Sequence, residues 1–348
     1  MLTKEEVIEI LKSMEDPHLH KSIEETGGIR EVKVDDTFVS LKIALGKTQT
    51  AEQMKLQQEI VQKVKQNGAE SVGLRFEQLT DEELAALGGI PEEQGPSLLA
   101  EGSKTQFISV ASGKGGVGKS TVSVNLALGL QRIGKKVGIL DADIYGFSIP
   151  DMMGIENRPT VVDKRIQPVD RFGVKVISMG FFVEDNSPVI WRGPMLGKML
   201  NQFFSEVDWG DLDYLILDLP PGTGDIAMDI QSMVPSGNEL IVTTPHPTAA
   251  FVAARAGAMA IKTEHKLLGV IENMSYFKSD KTGEIAHIFG EGGGEKLSEN
   301  LGTELLGQIP LNQPEEKDDV FAPGCYFEDE SIGQLYTDVA KNVDAKLQ

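Results

Sequence analysis

Hydrophobic and polar positions along the first 80 residues follow patterns typical of short helices and half-buried strands. Apolar side chains recur at helical spacing in two stretches and alternate with polar ones in three others. The capping-box sequence Thr3-Lys4-Glu5-Glu6 predicts the start of the first helix. The predicted elements are a helix to about Met14, strands near 32–34 and 39–45, a helix at 51–67 and a strand at 72–76. This αββαβ order predicts a small α/β domain over residues 1–80.

The pattern changes twice further along the chain. Residues 81–104 lose periodicity and mix acidic residues with glycine and proline, which predicts a linker with one short helix at 82–87. Over 105–348, short continuous apolar runs alternate with helical stretches. Such runs predict strands buried on both faces, as in a mostly parallel sheet covered by helices. The runs are 107–111, 137–140, 214–217, 240–243 and 267–271.

Charge and composition narrow the class of protein. The 348 residues carry a net charge of −20, which repels nucleic-acid phosphates and anionic lipid, and no Lys/Arg run offsets it. No apolar run approaches the roughly 18 residues of a membrane-spanning helix. The single cysteine, Cys325, precludes an internal disulfide, and the first residues lack a secretory pattern. We therefore expect a cytoplasmic protein without membrane or direct nucleic-acid contacts.

A glycine-rich loop is the strongest chemical signal in the sequence. Residues 113–120 fit G-x-x-x-x-G-K-[ST], directly after a predicted strand and before a predicted helix. Glycines let backbone N–H groups approach phosphate oxygens, and the helix adds its positive N-terminal end. We expect Lys119 to contact the β and γ phosphates of ATP and Ser120 to hold Mg²⁺. The predicted ATP-binding residues are Gly113, Lys114, Gly115, Gly116, Val117, Gly118, Lys119, Ser120 and Thr121.

Two acidic sites end apolar strands, at the edge where ligands bind in open α/β sheets. Asp218 is the candidate on the Mg²⁺ side, and Asp141 or Asp143 is the candidate that orients water. A loop-capping role is the alternative for each carboxylate. The loop after Asp218 contains Pro221, Gly222, Thr223 and Gly224, and its glycines would let it move as a switch when the γ-phosphate leaves.

Six motifs together resemble the Mrp/ApbC family of ATPases over about 107–348, and residues 1–78 resemble the small domain that often precedes it. They are residues 113–121, Asp141-Ala142-Asp143-Ile144-Tyr145-Gly146, Trp191-Arg192-Gly193-Pro194-Met195, 218–225, Thr243-Thr244-Pro245 and Glu272-Asn273-Met274-Ser275-Tyr276-Phe277. The resemblance implies a P-loop NTPase fold and Mg²⁺-dependent ATP hydrolysis by a homodimer. It further implies an iron–sulfur cluster passed to apoprotein recipients.

The resemblance also implies roles for two single residues. A lysine at the position of Lys114 marks the deviant Walker A ATPases, in which it reaches the partner subunit's nucleotide. Together with the residues discussed above, the candidate catalytic residues are Lys114, Lys119, Asp141 and Asp143. Asn273 is implied to read the adenine. The alternatives are a solvated lysine at Lys114 and a strand-end cap at Asn273.

The sequence departs from the family at the cluster site. Where the family has a C-x-x-C pair after the Asn-Met-Ser-Tyr-Phe motif, this chain has Ser279 and Thr282, whereas a cubane cluster takes about four thiolates. The alternative function is an ATP-dependent switch that acts through regulatory protein partners, as in cysteine-pair-lacking SalA-type regulators of gene expression. A MinD- or ParA-like positioning ATPase would need a basic tail or DNA-binding patch, and neither is visible.

Overall fold

The chain divides into two compact units, Met1–Glu93 and Gln94–Gln348. The computed structural model describes residues 2–35, 37–48, 50–87, 98–100, 102–144, 146–163, 165–182, 193–234, 237–279, 281–318 and 320–348. Residues 88–97 and 101 of the predicted linker lie outside these ranges, as do Tyr145, Trp191 and Arg192. Among the described helices, none has the length and apolar character needed to cross a bilayer.

The small unit is a three-stranded sheet packed against two helices. Its elements are α1 (Lys4–Lys12), β1 (Glu15–Asp16), β2 (Lys21–Ser22), β3 (Ile29–Asp35), β4 (Phe38–Leu45), α2 (Ala51–Gln66), β5 (Ser71–Gln78) and α3 (Asp81–Ala86). Strand β4 lies between β3, to which it is antiparallel, and β5, to which it is parallel. The Thr3 hydroxyl accepts from the Glu6 N–H at 3.2 Å and the Glu6 carboxylate accepts from the Thr3 N–H at 2.8 Å, so the capping box that starts α1 is formed.

Helix α3 packs on the small unit, although the sequence places it in the linker. Leu84 and Leu87 pack against the buried Leu19 and Leu79. The guanidinium of Arg30 also donates to the Glu83 carboxylate at 2.6 Å. These contacts make residues up to Leu87 part of the small unit's packing.

The large unit is built around an eight-stranded sheet. The strands of the large unit, eight of which form this sheet, are β6 (Gln106–Ser112), β7 (Val137–Asp141), β8 (Thr160–Val162), β9 (Arg165–Gln167), β10 (Val169–Arg171), β11 (Val174–Ser178), β12 (Tyr214–Asp218), β13 (Asn238–Thr243), β14 (Lys266–Asn273), β15 (Phe277–Lys278), β16 (Ile285–Ala286) and β17 (Leu305–Ile309). Its α-helices are α4 (Lys119–Arg132), α5 (Ile149–Met153), α6 (Gly193–Ser205), α7 (Asp225–Met233), α8 (Pro247–Lys262), α9 (Gly293–Leu301) and α10 (Ser331–Leu347), and residues Met179–Phe182 form a 3₁₀ turn.

The sheet order is β10-β11-β7-β12-β6-β13-β14-β17, parallel throughout except for the edge strand β10. Successive residues of β6 enter opposite core layers: Ile108 and Val110 join one hydrophobic cluster, and Phe107 and Ala111 join the other. The predicted parallel sheet buried on both faces by helices is therefore confirmed. The order places the carboxyl ends of β7, β12 and β6 side by side.

Candidate functional site

The glycine-rich loop connects the carboxyl end of β6 to the first residue of α4. Gly116 and Gly118 have positive φ angles of 78° and 82°, which L side chains rarely adopt. A Cβ on Gly113 would lie 2.3 Å from the backbone nitrogen of Ala253 in α8, so only glycine fits there. Gly118 caps α4 without a side-chain hydrogen bond. The loop thus leaves the positive helix end open to an anion.

A buried charge cluster lies beneath this loop. The Lys119 ammonium lies 2.7 Å from Asp218 Oδ2 and 3.4 Å from Asp143 Oδ2. The Ser120 hydroxyl donates to the same Asp218 Oδ2 at 2.6 Å. Burial alone lowers the pKa of Lys119, but the charges of Asp218 and Asp143 outweigh burial and raise that pKa. Lys119 is therefore a permanent cation held by carboxylates.

Asp141 and Asp143 follow β7 and lie beside that cluster. The Asp143 N–H donates to Asp141 Oδ1 at 3.2 Å, and the Ser178 hydroxyl donates to Asp141 Oδ2 at 2.9 Å. Burial, reinforced by the charge of Asp218, raises the pKa of Asp141 to about 7. Burial also raises the pKa of Asp143. Asp143 Oδ1 is buried with no hydrogen-bond partner among the described residues, so it is available to a ligand or water.

A cleft of about 370 Å³ opens over the loop. It is lined by the glycine-rich loop, the carboxylate of Asp143, Met152 of α5 and Pro221 of the predicted switch loop. Lys114 also lines the cleft; its side chain is exposed and makes no ion pair within the described part of the chain. The predicted switch loop is bonded to the last residue of β6, directly before the glycine-rich loop: the Gly222 N–H donates to the Ser112 carbonyl at 2.8 Å. Gly222 itself has a φ of 90°.

Asn273 lies at the end of β14 and contacts the glycine-rich loop directly. Its side-chain amide donates to the Val117 carbonyl at 3.0 Å, and the residue is buried. It does not line the cleft. The structure therefore brings Asn273 to the loop, and its predicted contact with adenine stays a prediction.

Ser279 and Thr282, at the predicted position of the family's cysteine pair, lie in the connection between β15 and β16. The Ser279 N–H donates to the Glu284 carbonyl at 2.9 Å, and the Gly283 N–H donates to the Ser279 carbonyl at 2.8 Å. The Thr282 hydroxyl donates to the Glu284 carboxylate at 3.2 Å. Asp280 lies outside the described residues. Hydroxyl and backbone hydrogen bonds thus close this turn.

Cys325 is not exposed to solvent. It is fully buried in the core cluster that includes Met153 and Tyr326. Its thiol points at the Met152 carbonyl, 3.6 Å away. Burial raises the pKa of the thiol to about 12. In this conformation Cys325 is a packing residue.

Two serines that the sequence analysis did not single out contact the acidic side chains. The hydroxyl of Ser123, in the first turns of α4, lies 2.5 Å from Asp218 Oδ1. Ser178, at the end of β11, binds Asp141 as described above. For Ser123, a usable signal exists in the sequence: it lies three residues after Ser120, hence on the same helix face. The sequence around Ser178 contains no pattern that predicts its hydrogen bond to Asp141.

Family models match both units of the chain. Residues 103–344 match the model described as NUBPL iron-transfer P-loop NTPase, and residues 4–73 match the one described as iron–sulfur cluster assembly protein. The iron–sulfur cluster carrier protein of Bacillus subtilis (strain 168) is 58% identical over 349 residues, covering 100% of this chain and 99% of the relative. The protein of the same name from Mycobacterium leprae (strain TN) is 42% identical, covering 89% of this chain and 84% of the relative.

Solved structures agree with the fold. A nucleotide-binding protein from Archaeoglobus fulgidus, in complex with ADP, is 35% identical with a TM-score of 0.52, covering 69% of this chain and 88% of that one. The cell division ATPase MinD of Pyrococcus furiosus has a TM-score of 0.51 at 19% identity, covering 70% of this chain and 99% of that one, which shows a shared fold only. On this evidence the chain belongs to the Mrp/ApbC family of iron-transfer P-loop NTPases.

Proposed function

We propose that this P-loop ATPase binds ATP with Mg²⁺ in the cleft over residues 113–121 and hydrolyses it as a homodimer. The observation that carries the proposal is the junction of three groups: the Lys119 ammonium and the Ser120 hydroxyl both lie within 2.7 Å of one oxygen of Asp218. Phosphoryl transfer needs these parts in one place: a cation for the phosphates, a hydroxyl for Mg²⁺ and a metal-side carboxylate.

The donor atoms fit Mg²⁺. Ser120 and Asp218 offer only oxygen, which is what this hard cation prefers, and Mg²⁺ usually takes few protein ligands together with substrate phosphates and water. No group of three or more histidine, cysteine or carboxylate side chains in the described ranges is placed to hold a metal by itself. Ser120 and Asp218 would hold Mg²⁺, which would supply neutralisation of phosphate charge when bound.

Other residues of the chain would act on the phosphates and the water. Lys119 would exchange its carboxylate partners for the β and γ phosphates. Asp143 Oδ1, buried and without a hydrogen-bond partner in the described ranges, supports a role in orienting the attacking water, and Asp141 accepts from the Asp143 N–H. The loop that contains Pro221 and Gly222 would change conformation when the γ-phosphate leaves. Pro221 lines the cleft, and Gly222 is hydrogen-bonded to the Ser112 carbonyl.

Lys114 supports the dimer. An exposed lysine at the cleft, without an ion-pair partner in the described chain, is suited to contact the nucleotide of a second subunit. Asn273 would contribute to adenine binding after giving up its bond to the Val117 carbonyl. Contact of Lys114 with the nucleotide of a second subunit would link pairing of the two subunits to bound ATP.

Two functions for this nucleotide-driven dimer follow from different observations. The names of the relatives support an iron–sulfur cluster as cargo, delivered to recipient apoproteins. The chain's own residues do not fit a cluster held by thiolates, because Ser279 and Thr282 close a hydroxyl-bonded turn and Cys325 is buried. That disagreement is the observation behind the second candidate, a regulatory switch that contacts protein partners without holding a cluster.

Anaerobic reconstitution with iron and sulfide separates the two functions. The proteins compared are the wild type, Cys325→Ser and the double variant Ser279→Cys/Thr282→Cys, which restores the family's pair. Iron per dimer and visible absorbance are the readouts. A cluster on the wild type supports the carrier function. Iron bound only by the double variant supports the switch, and it shows that the reconstitution itself worked.

A further inference from the structure

Ser123 contacts the candidate Mg²⁺-side carboxylate from the side opposite the cleft. Its hydroxyl lies 2.5 Å from Asp218 Oδ1, whereas Ser120 and Lys119 both contact Oδ2. Ser120 and Lys119 line the cleft; Ser123 and Asp218 are fully buried and do not. One carboxylate therefore has a cleft-side oxygen and a core-side oxygen, with separate partners.

The Ser123 hydroxyl has one proton and two acceptors within reach. The Lys119 carbonyl lies 3.1 Å away, which is the back-bond that serine commonly makes inside a helix. Asp218 Oδ1 is nearer, at 2.5 Å, and a carboxylate is the stronger acceptor. The proton therefore goes to Asp218.

We propose that Ser123 is a positioning residue for the Mg²⁺ site: it holds Asp218 Oδ1 so that Oδ2 stays aimed at Ser120. This inference rests on the proposed Mg²⁺-ATP function. When Lys119 turns to the phosphates and Ser120 to the metal, Asp218 Oδ2 loses both of its present partners. Ser123, which lies outside the cleft, keeps its bond. Without it, the carboxylate would be free to rotate about its Cβ–Cγ bond.

A loss of orientation predicts a specific defect. Groups that orient metal-binding side chains typically change metal affinity by about 10–100-fold when they are removed. For Ser123→Ala we expect the Mg²⁺ concentration that gives half-maximal tight binding of a fluorescent ATP analogue to rise about tenfold. Binding of the analogue in EDTA should stay within about twofold of wild type, because phosphate contacts of Lys119 and the loop are unchanged.

Ser109→Ala is the matched control. Ser109 is also fully buried, on β6, but its hydroxyl has no hydrogen-bond partner among the described residues. Each substitution removes one buried hydroxyl group from the core. Ser109→Ala should leave the Mg²⁺ requirement unchanged, and Ser123→Thr, which keeps the hydroxyl, should restore it toward the wild-type value. Thermal unfolding confirms that each variant is folded before titration.

The outcomes separate this inference from the function on which it rests. A wild type that binds no nucleotide would remove the proposed function. A wild type that binds normally, together with an unchanged Mg²⁺ requirement in Ser123→Ala, would overturn the role of Ser123 alone. Equal weakening in Mg²⁺ and in EDTA would also overturn it, because that result indicates a general packing defect.

Discussion

Asp141 and Asp218 lie directly opposite each other on the parallel strands β7 and β12, yet their environments differ. Asp218 has the Lys119 ammonium at 2.7 Å, while Asp141 accepts hydrogen bonds from Ser178 and the Asp143 backbone. Two adjacent buried carboxylates cannot both ionise without an energetic cost. Burial and the charge of Asp218 accordingly raise the pKa of Asp141 to about 7.

The raised pKa makes Asp141 a source of pH-dependent instability. As pH rises, the unfolded chain loses the Asp141 proton near the ordinary pKa of 3.8, whereas the native state keeps that proton up to about pH 7. Stability from this site is therefore present below about pH 4 and is lost as pH rises toward 7. Asp141→Asn removes the titration while keeping an acceptor for the Asp143 N–H.

We expect Asp141→Asn, measured without nucleotide in EDTA, to gain Tm relative to wild type as pH rises from 5 to 8. The gain should reach several degrees, since about 1 kcal/mol shifts the Tm of a unit this size by about 2–4 °C. Asp229→Asn, at an exposed position of α7, is the control and should show no such trend. A Tm difference that does not change with pH would contradict the raised pKa.

A mixing experiment tests whether Lys114 acts on the partner's nucleotide. Lys114→Ala should lose turnover by about 1,000-fold, as removal of an arginine finger does, while its nucleotide affinity stays near wild type. Lys119→Ala should also be inactive. In an equimolar mixture, a mixed dimer has one complete site, with Lys119 from one chain and Lys114 from the other.

The mixture should therefore recover roughly a quarter of the wild-type rate when subunits exchange freely in a homodimer. Steady-state phosphate release measures the recovery. Lys55→Ala, at an exposed position of α2, mixed with wild type should leave the rate unchanged. A mixture no more active than its components would place Lys114 in its own subunit's site or remove its role.

The burial of Cys325 predicts an unreactive thiol. A pKa of about 12 leaves almost no thiolate at pH 8, and the residue is fully buried. Ellman's reagent should label the denatured protein at once and the native protein hardly at all. Thr282→Cys, which adds a thiol at an exposed position, should be labelled promptly in the native state. Rapid labelling of native wild type would show that Cys325 reaches the surface.

Local patterns in the sequence predict much of this molecule, because strands and the glycine-rich loop carry local signals. The continuous apolar run 214–217 is strand β12, with Asp218 at its end. The short strands β8 and β9 escape prediction, since three residues are too few to show periodicity and Val161 and Val162 of β8 are exposed.

Contacts between distant residues account for the rest. Ser123 and Asp218 are 95 positions apart, and only the parallel pairing of β6 and β12 brings them together. Asn273 meets the Val117 carbonyl across 156 positions because β13 pairs with both β6 and β14. The burial of Cys325 depends on the packing of its segment against α5, which no pattern within the segment signals.

Phosphate release by wild type and Asp218→Asn tests the central claim most directly. The wild type should hydrolyse ATP in Mg²⁺ and stop in EDTA, and Asp218→Asn should lose about 100-fold or more, because the metal-side carboxylate is gone. Asp213→Asn, at the exposed position directly before the same strand, is the control and should keep the wild-type rate. Hydrolysis that persists in Asp218→Asn, or that does not need Mg²⁺, would contradict the site described above.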